Sequence, residues 1–278
     1  MATKKLSEAL LFIDTNILLD FYRVEGRGSG LELLDLIDKH NSSIITTSQV
    51  EMEFKKNRQS VILKSMDGSK LPDIKSINTP AFLVESKQNN AVEKKHREIK
   101  LLHAKILNRI EVILKDPIRK DPVYKTLQRL FKVRTPFNLN RDDDTRFEIR
   151  ELANKRYMLG YPPRKSGDTS IGDAINWEWI IRVAKEHKKN VVIVTRDSDY
   201  GHREHINDWL RQEFKQRVSN KKDVYLTNKL SKAFQMISVP VSDKVVTAED
   251  ELVERAAEVL VTGIGASTAV GNVIVTTT

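Results

Sequence analysis

ALLFIDTNILLD, residues 9–20, joins two kinds of apolar spacing across one carboxylate. Leu10 to Ile13 is a short continuous run, the pattern of a buried strand, and Ile17 to Tyr22 has helical spacing. Asp14 stands at the junction, followed by Thr15 and Asn16. A side chain there lies just beyond the carboxyl end of a strand, where open α/β sheets hold their ligands. Capping of the helix by Asp14 or Thr15 is an equal reading of this segment alone. The theme returns in VVIVTRDSDYG, residues 191–201, where a β-branched run of parallel-sheet type ends in Asp197 and Asp199.

Composition narrows the chemistry. The 278 residues include no cysteine, so disulfides, thiolate metal sites and cysteine nucleophiles are excluded, and any metal must be held by oxygen or histidine. A net charge of +9 favours polyanionic partners, chiefly nucleic acid or an acidic protein. The amino-terminal apolar run is too short for a signal-peptide core, and the uncharged tail after Glu258 is a poor membrane span. A cytoplasmic protein is therefore expected.

Between the two strand ends, Leu31 to Lys39 has helical spacing, Ser43 to Thr46 reads as a strand, and Ser48 to Met66 reads as a helix. Ser48 and Glu51 have the spacing of a capping box. Glu53 shares a face with Val50, Phe54 and Asn57, and an acid on an inward face needs a partner. After a polar loop from Asp67 to Pro80, Ala81 to Lys115 reads as a long helical region. Val92, Ile99, Ile106 and Ile113 repeat there every seven residues, which predicts a seam against another helix. At about 1.5 Å per residue this helix reaches roughly 50 Å and is expected to project as an arm. Pro122 to Val133 and Asp144 to Leu159 are its candidate partners. The basic residues of this region read either as solvated helix faces or as a nucleic-acid clamp.

Farther on, Ile171, Ile175, Trp179, Ile180 and Val183 place a helix start near Ser170, with Asp173 in its first turn and Asp168 upstream in the loop. Helices at Glu204 to Lys215 and Lys229 to Ile237 flank a strand at Val224 to Leu226, and a further helix is expected over Glu249 to Val261. This alternation predicts an α/β fold with a parallel sheet covered on both faces. In such a sheet Asp14, Glu53, Asp173 and Asp197 converge on one edge, where four carboxylates cannot all stay ionised without cations. Hard oxygen ligands point to Mg²⁺ or Mn²⁺, and two such ions could serve a phosphodiester displacement.

In order, FIDTNILLD, SQVEMEFKKNR, GDAINWEWI and VVIVTRDSDYG resemble the motifs of PIN-domain nucleases, within them the bacterial PIN-like proteins with a large helical insertion. The resemblance covers most of residues 9–60 and 166–237. It implies a three-layer α/β/α fold with a mainly parallel sheet and metal-dependent cleavage of RNA, in some branches DNA. The domain is expected over 1–240, interrupted by the insertion at about 65–165, with a helix and tail at 241–278. Matched residue by residue, the four acids of the family fall on Asp14, Glu53, Asp173 and Asp197, with Asp199 a further metal-ligand candidate. Asn16 and Thr195 match residues that orient the carboxylates or the substrate. A Gly-Asp pair occurs twice; Asp173 is chosen because AINW continues the pattern, and Asp168 is kept as an extra candidate. Lys55, Lys56, Arg58, Arg164 and Lys165 flank the acidic motifs and are expected either to contact phosphate or to be solvated.

The leading expectation is an endoribonuclease using Mg²⁺ or Mn²⁺, set in a toxin restrained by an antitoxin or in phage defence, with a homo-oligomer open. The alternatives are a phosphatase or phosphotransferase using Asp14, and a non-catalytic protein binding nucleic acid or a partner through its arm.

Overall fold

The two unbroken apolar runs lie side by side at the centre of the sheet. In the computed structural model, which describes residues 5–6, 8–23, 29–67, 79–164, 170–251 and 253, β1 (Ala9–Ile13) pairs in parallel with β4 (Asn190–Val194), matching Ala9 with Asn190 and Ile13 with Val194. All but the first residue of each strand is buried, as strands covered on both faces must be. β2 (Ile44–Thr47) flanks β1 on its other side, β3 (Asn138–Leu139) pairs with β2, and β7 (Val224–Thr227) pairs with β4. The order is β3-β2-β1-β4-β7, all parallel. The chain runs outward from β1 to β3 and then returns to lay β4 on the other side of β1. The crevice between the carboxyl ends of β1 and β4 is thus the topological switch point, the ligand position in open sheets.

Helices complete a three-layer α/β/α fold. α1 (Thr15–Leu19) leaves β1 and runs into a single 3₁₀ turn at Asp20–Tyr22. α2 (Ser29–Lys39) and α3 (Ser48–Asp67) bracket β2. The capping box expected at Ser48 is replaced by a cap one residue earlier. Val50 donates its N–H to Thr47 Oγ1 at 3.2 Å, and Glu51 pairs instead with Lys55 at 2.5 Å.

α4 (Lys87–Lys115) is the long helix, preceded by a 3₁₀ turn at Ala81–Leu83 and followed by the short α5 (Pro117–Lys120). Neither expected partner covers its seam. α6 (Pro122–Lys132) buries Val123, Leu127, Leu130 and Phe131 and packs on α2 and β2, while α7 (Thr145–Leu159) packs on α8 (Gly172–His187). The core had already claimed both apolar faces. Part of the segment 65–165 therefore belongs to the layers around the sheet, because β3 is one of its strands. α4 itself buries no residue.

Beyond β4 come a small antiparallel ribbon, β5 (Gly201–His202) and β6 (His205–Ile206), then α9 (Asp208–Arg217), β7 and α10 (Leu230–Met236). Residues 243–251 are helical, and the rest of the helix expected to Val261, with the tail, lies outside the described residues. Among the described residues no helix is long and apolar enough to cross a membrane.

Candidate active site

Because β1 and β4 end in register, the residues that leave them meet. Asp14 donates its N–H to the Val194 carbonyl at 3.0 Å, and Thr195 donates its own to Thr227. This fixes both backbones and sets the two side chains face to face. Thr195 Oγ1 donates to Asp14 Oδ2 at 2.6 Å, and Asn16 Nδ2 donates to the same oxygen at 2.8 Å and to Thr195 Oγ1 at 3.1 Å. The other oxygen, Oδ1, accepts the Thr15 N–H at 2.6 Å. Asp14 is therefore both the helix cap and the centre of a cross-strand network, so the two readings of the opening segment do not compete. Asp197 is tied in through its N–H, which donates to Thr195 Oγ1 at 3.0 Å, and the Arg196 N–H donates to Asn16 Oδ1 at 3.3 Å.

Glu53 arrives from α3. Its Oε2 accepts from Thr15 Oγ1 at 3.0 Å, and its Oε1 from Gln49 Nε2 at 2.7 Å. One helical turn separates Gln49 from Glu53, the spacing at which helix side chains meet. Gly172, first residue of α8, leaves room for this acid: a Cβ there would stand 2.4 Å from Glu53 Oε1. Asp173 follows in the first turn of α8, half-buried, and its carbonyl accepts from the buried Tyr200 hydroxyl at 3.3 Å.

The electrostatics show how close these groups are. Burial pushes the Asp14 carboxyl up to about 7, helped by the charges of Asp197 and then Glu53, and opposed by the hydrogen bonds from Thr195 and Thr15. None of the three donors bonded to Asp14 is a cation. Tyr200 is likewise raised, first by burial and then by the charges of Asp173, Asp14, Glu53 and Asp199, so it lies within reach of four carboxylates. Four further acids, Asp197, Glu53, Asp173 and Asp199, thus act through their charges on the Asp14 or Tyr200 side chain, and Glu53 and Asp173 are half-buried.

A divalent ion suits this set. The donors are hard oxygens, and the most buried of them, Asp14, resists ionisation for want of the positive partner that a cation would supply. Among the described residues no three acids or histidines converge as a ready-made cage. Mg²⁺ does not need one, since it keeps several waters and binds through one or two carboxylates plus substrate phosphate. The aspartyl-phosphate alternative fits less well, because the residue two positions on is Asn16, an amide that donates to Asp14 Oδ2, where that chemistry would use a second acid.

The basic residues sort differently from expectation. Arg58 is a correction. Its guanidinium is buried, donating Nη2 to Asp121 Oδ2 at 2.6 Å and to the Ile113 carbonyl at 3.1 Å, while Nε reaches Tyr22 Oη at 3.1 Å. A guanidinium so enclosed is unavailable to phosphate. Lys55 pairs with Glu51, Lys56 is exposed, and Arg164 lies 4.4 Å from the Tyr157 ring centroid. Asp168 and Lys165 lie outside the described residues. Thr15, Gln49, Gly172 and Tyr200 join the site in three dimensions without forming part of its sequence motifs' acidic pattern. Gln49 was legible as the residue one turn before Glu53, whereas Gly172 and Tyr200 act through contacts far apart in the chain.

A family model described as a PIN domain matches residues 11–200. No curated protein and no solved structure matches the chain.

Proposed function

The chain belongs to the PIN-domain family, a superfamily of metal-dependent nucleases, and from that premise we propose that it is a Mg²⁺- or Mn²⁺-dependent endonuclease acting on RNA ahead of DNA. The observation that carries the reading is the meeting of β1 and β4, which holds a desolvated, uncompensated Asp14 among Asp197, Glu53 and the carboxylates around Tyr200. Asp14, Glu53, Asp173, Asp197 and Asp199 would hold the cation. When bound, Mg²⁺ or Mn²⁺ supplies Lewis-acid charge to the phosphodiester and makes water nucleophilic near neutral pH.

The chain's own residues do the positioning. Thr195 and Asn16 together occupy both lone-pair sites of Asp14 Oδ2, whereas Oδ1, which accepts only the Thr15 N–H, keeps one for a cation. Thr15 and Gln49 fix both oxygens of Glu53, so the carboxylate is preorganised before substrate arrives. The net positive charge of the chain favours approach of a polyanion to this acidic pocket. A setting as a restrained toxin or a phage-defence effector belongs to the same proposal.

The test is cleavage of labelled single-stranded and hairpin RNA, and of the matching DNA, with Mn²⁺, by the protein and by Asp14→Asn. Cleavage that Asp14→Asn loses by at least about a hundredfold supports the site, on the scale set by disturbing metal-site carboxylates. Equal cleavage by both proteins overturns it.

A further inference from the structure

Trp209 and Tyr161 form an exposed aromatic pair that the site described above does not use. Their ring centroids are 5.0 Å apart and tilted by 44°. Trp209 is 48% exposed and Tyr161 38%, whereas Trp177 and Trp179 are buried. Apolar rings left open on two separate elements contribute little to the core.

Their height relative to Asp173 follows from helix pairing. α8 leads into β4 and α9 into β7, two parallel strands, so both helices run in the same direction, and Trp177 Nε1 donating to Glu213 Oε2 at 3.0 Å sets these two residues side by side. Asp173 lies four residues before Trp177, and Trp209 four before Glu213, which makes them level. α7 runs the opposite way along α8, because Arg156 bonds to Glu178 at 2.8 Å and Arg182 to Glu148 at 2.7 Å. Tyr161 lies five residues beyond Arg156, and Asp173 five before Glu178. Both rings therefore stand at the amino-terminal end of α8, about one interhelical spacing, ~10 Å, from the Asp173 backbone. A hydrogen-bond relay joins the two places: Tyr200 Oη donates to the Asp173 carbonyl at 3.3 Å, Asn207 donates its N–H to the Tyr200 carbonyl at 2.8 Å, and Asn207 Oδ1 accepts from the Trp209 N–H at 2.9 Å. A cation borders the pair: Arg164 is packed on Tyr157, one turn before Tyr161, and its Nη1 lies beside Gly160.

We propose that Trp209 and Tyr161 form a stacking platform for an unpaired base of single-stranded nucleic acid, close to the bond cut at the carboxylate site. Rings accept a base through its π-face, and the neighbouring Arg164 attracts the backbone; together they select strands whose bases are free. A duplex keeps its bases stacked inside and presents none to the platform. The proposal deepens the nuclease reading and rests on it, since it names the form of substrate that the same site takes.

The experiment separates the two. Asp14→Asn protein in EDTA is titrated with a 12-nucleotide single-stranded RNA and with the same RNA paired in a duplex, following tryptophan fluorescence and anisotropy of the labelled RNA. The single strand should quench the exposed tryptophan, and Trp209→Ala should lose the quench and weaken binding about tenfold or more, as truncated stacking residues do. Trp209→Phe should retain most of the affinity. An RNA carrying abasic sites should bind the parent protein and Trp209→Ala alike, which a merely structural clasp between α7 and α9 would not produce. Equal affinity of Trp209→Ala and its parent for the intact strand, or equal quenching by duplex, overturns the platform. Cleavage by the unmutated protein with Mn²⁺ is read separately, so an inactive protein that still loses affinity through Trp209→Ala sinks the nuclease reading and keeps the platform.

Discussion

The carboxyl edge of the sheet and the α4 arm carry equally regular apolar patterns and use them in opposite ways. In β1 and β4 every residue after the first is buried, and the polar groups that follow are spent on one another within 3.1 Å. In α4 the seven-residue stripe stays in the open, with Val92 43%, Ile99 40% and Ile106 58% exposed. Periodicity says that an apolar face exists; topology says whether the chain itself covers it. β1 and β4 lie inside a five-stranded sheet, with a strand on either side of each, whereas both helices that could have covered α4 were drawn into the core.

The contrast can be broken first at the root of the arm. Arg58 and Asp121 are buried together, and Arg58 also holds the Ile113 carbonyl near the end of α4. Removing one member leaves the other charge unpaired inside the protein, which costs about 3–5 kcal/mol. Arg58→Ala should lower stability by that amount in denaturant titration. A loss below about 1 kcal/mol would mean that solvent reaches the pair and that the arm is not anchored there.

A second effect, about 4 kcal/mol at most, belongs to the metal-free edge. Burial raises the Asp14 carboxyl to about 7 from an ordinary value near 4, so between those limits the folded protein holds a proton that the unfolded chain has lost. Stability from this group is full below pH ~4 and is lost as pH rises through about 7. Denaturation in chelator across that window should show the decline, and Asp14→Asn should flatten it. An identical slope in both proteins would remove Asp14 as its source.

Those two residues also mark what the sequence could and could not say. Asp14 was legible because it ends an unbroken apolar run, and Asp197 because it ends the other; strand register then brings them together without any further signal. Arg58 was not, since its partner Asp121 is 63 residues away and nothing local distinguishes a buried arginine from a surface one. The capping residue of α3 is Thr47 and not the expected Ser48, because both carry hydroxyls and only the backbone turn decides which reaches Val50. The heptad of α4 was legible as a stripe, and its lack of a cover was not, because the competing claims of α2 and α8 on α6 and α7 exist only in three dimensions.

A smaller effect sharpens the edge itself. Gly172→Ala would place a methyl 2.4 Å from Glu53 Oε1 and 2.9 Å from Gln49 Nε2. Both atoms are tips of flexible side chains, so the fold can yield, but the Glu53 carboxylate must move. Cleavage should fall about 10- to 100-fold, the range for disturbed metal-site orientation, with little change in unfolding midpoint. Loss of stability matching the loss of activity would make Gly172 a packing residue only.

The smallest effect lies on the arm. Ile99→Lys and Ile106→Lys replace exposed apolar side chains on a helix whose own support comes from local pairs such as Glu93 with Arg97 at 3.8 Å and Glu111 with Lys115 at 3.6 Å. Each such pair is worth about 0.3–0.5 kcal/mol, and lysine forms helix nearly as well as any residue. Neither substitution removes a buried contact, so each should change stability by no more than about 0.5 kcal/mol. The same lysines placed at Leu11 or Val192 would abolish folding, and the distance between those outcomes measures how completely the sheet edge, rather than the arm, holds the molecule together. A cost above 2 kcal/mol at Ile106 would show that the stripe is covered after all, and sedimentation of Ile106→Lys against the unmutated chain would tell whether a second copy covers it.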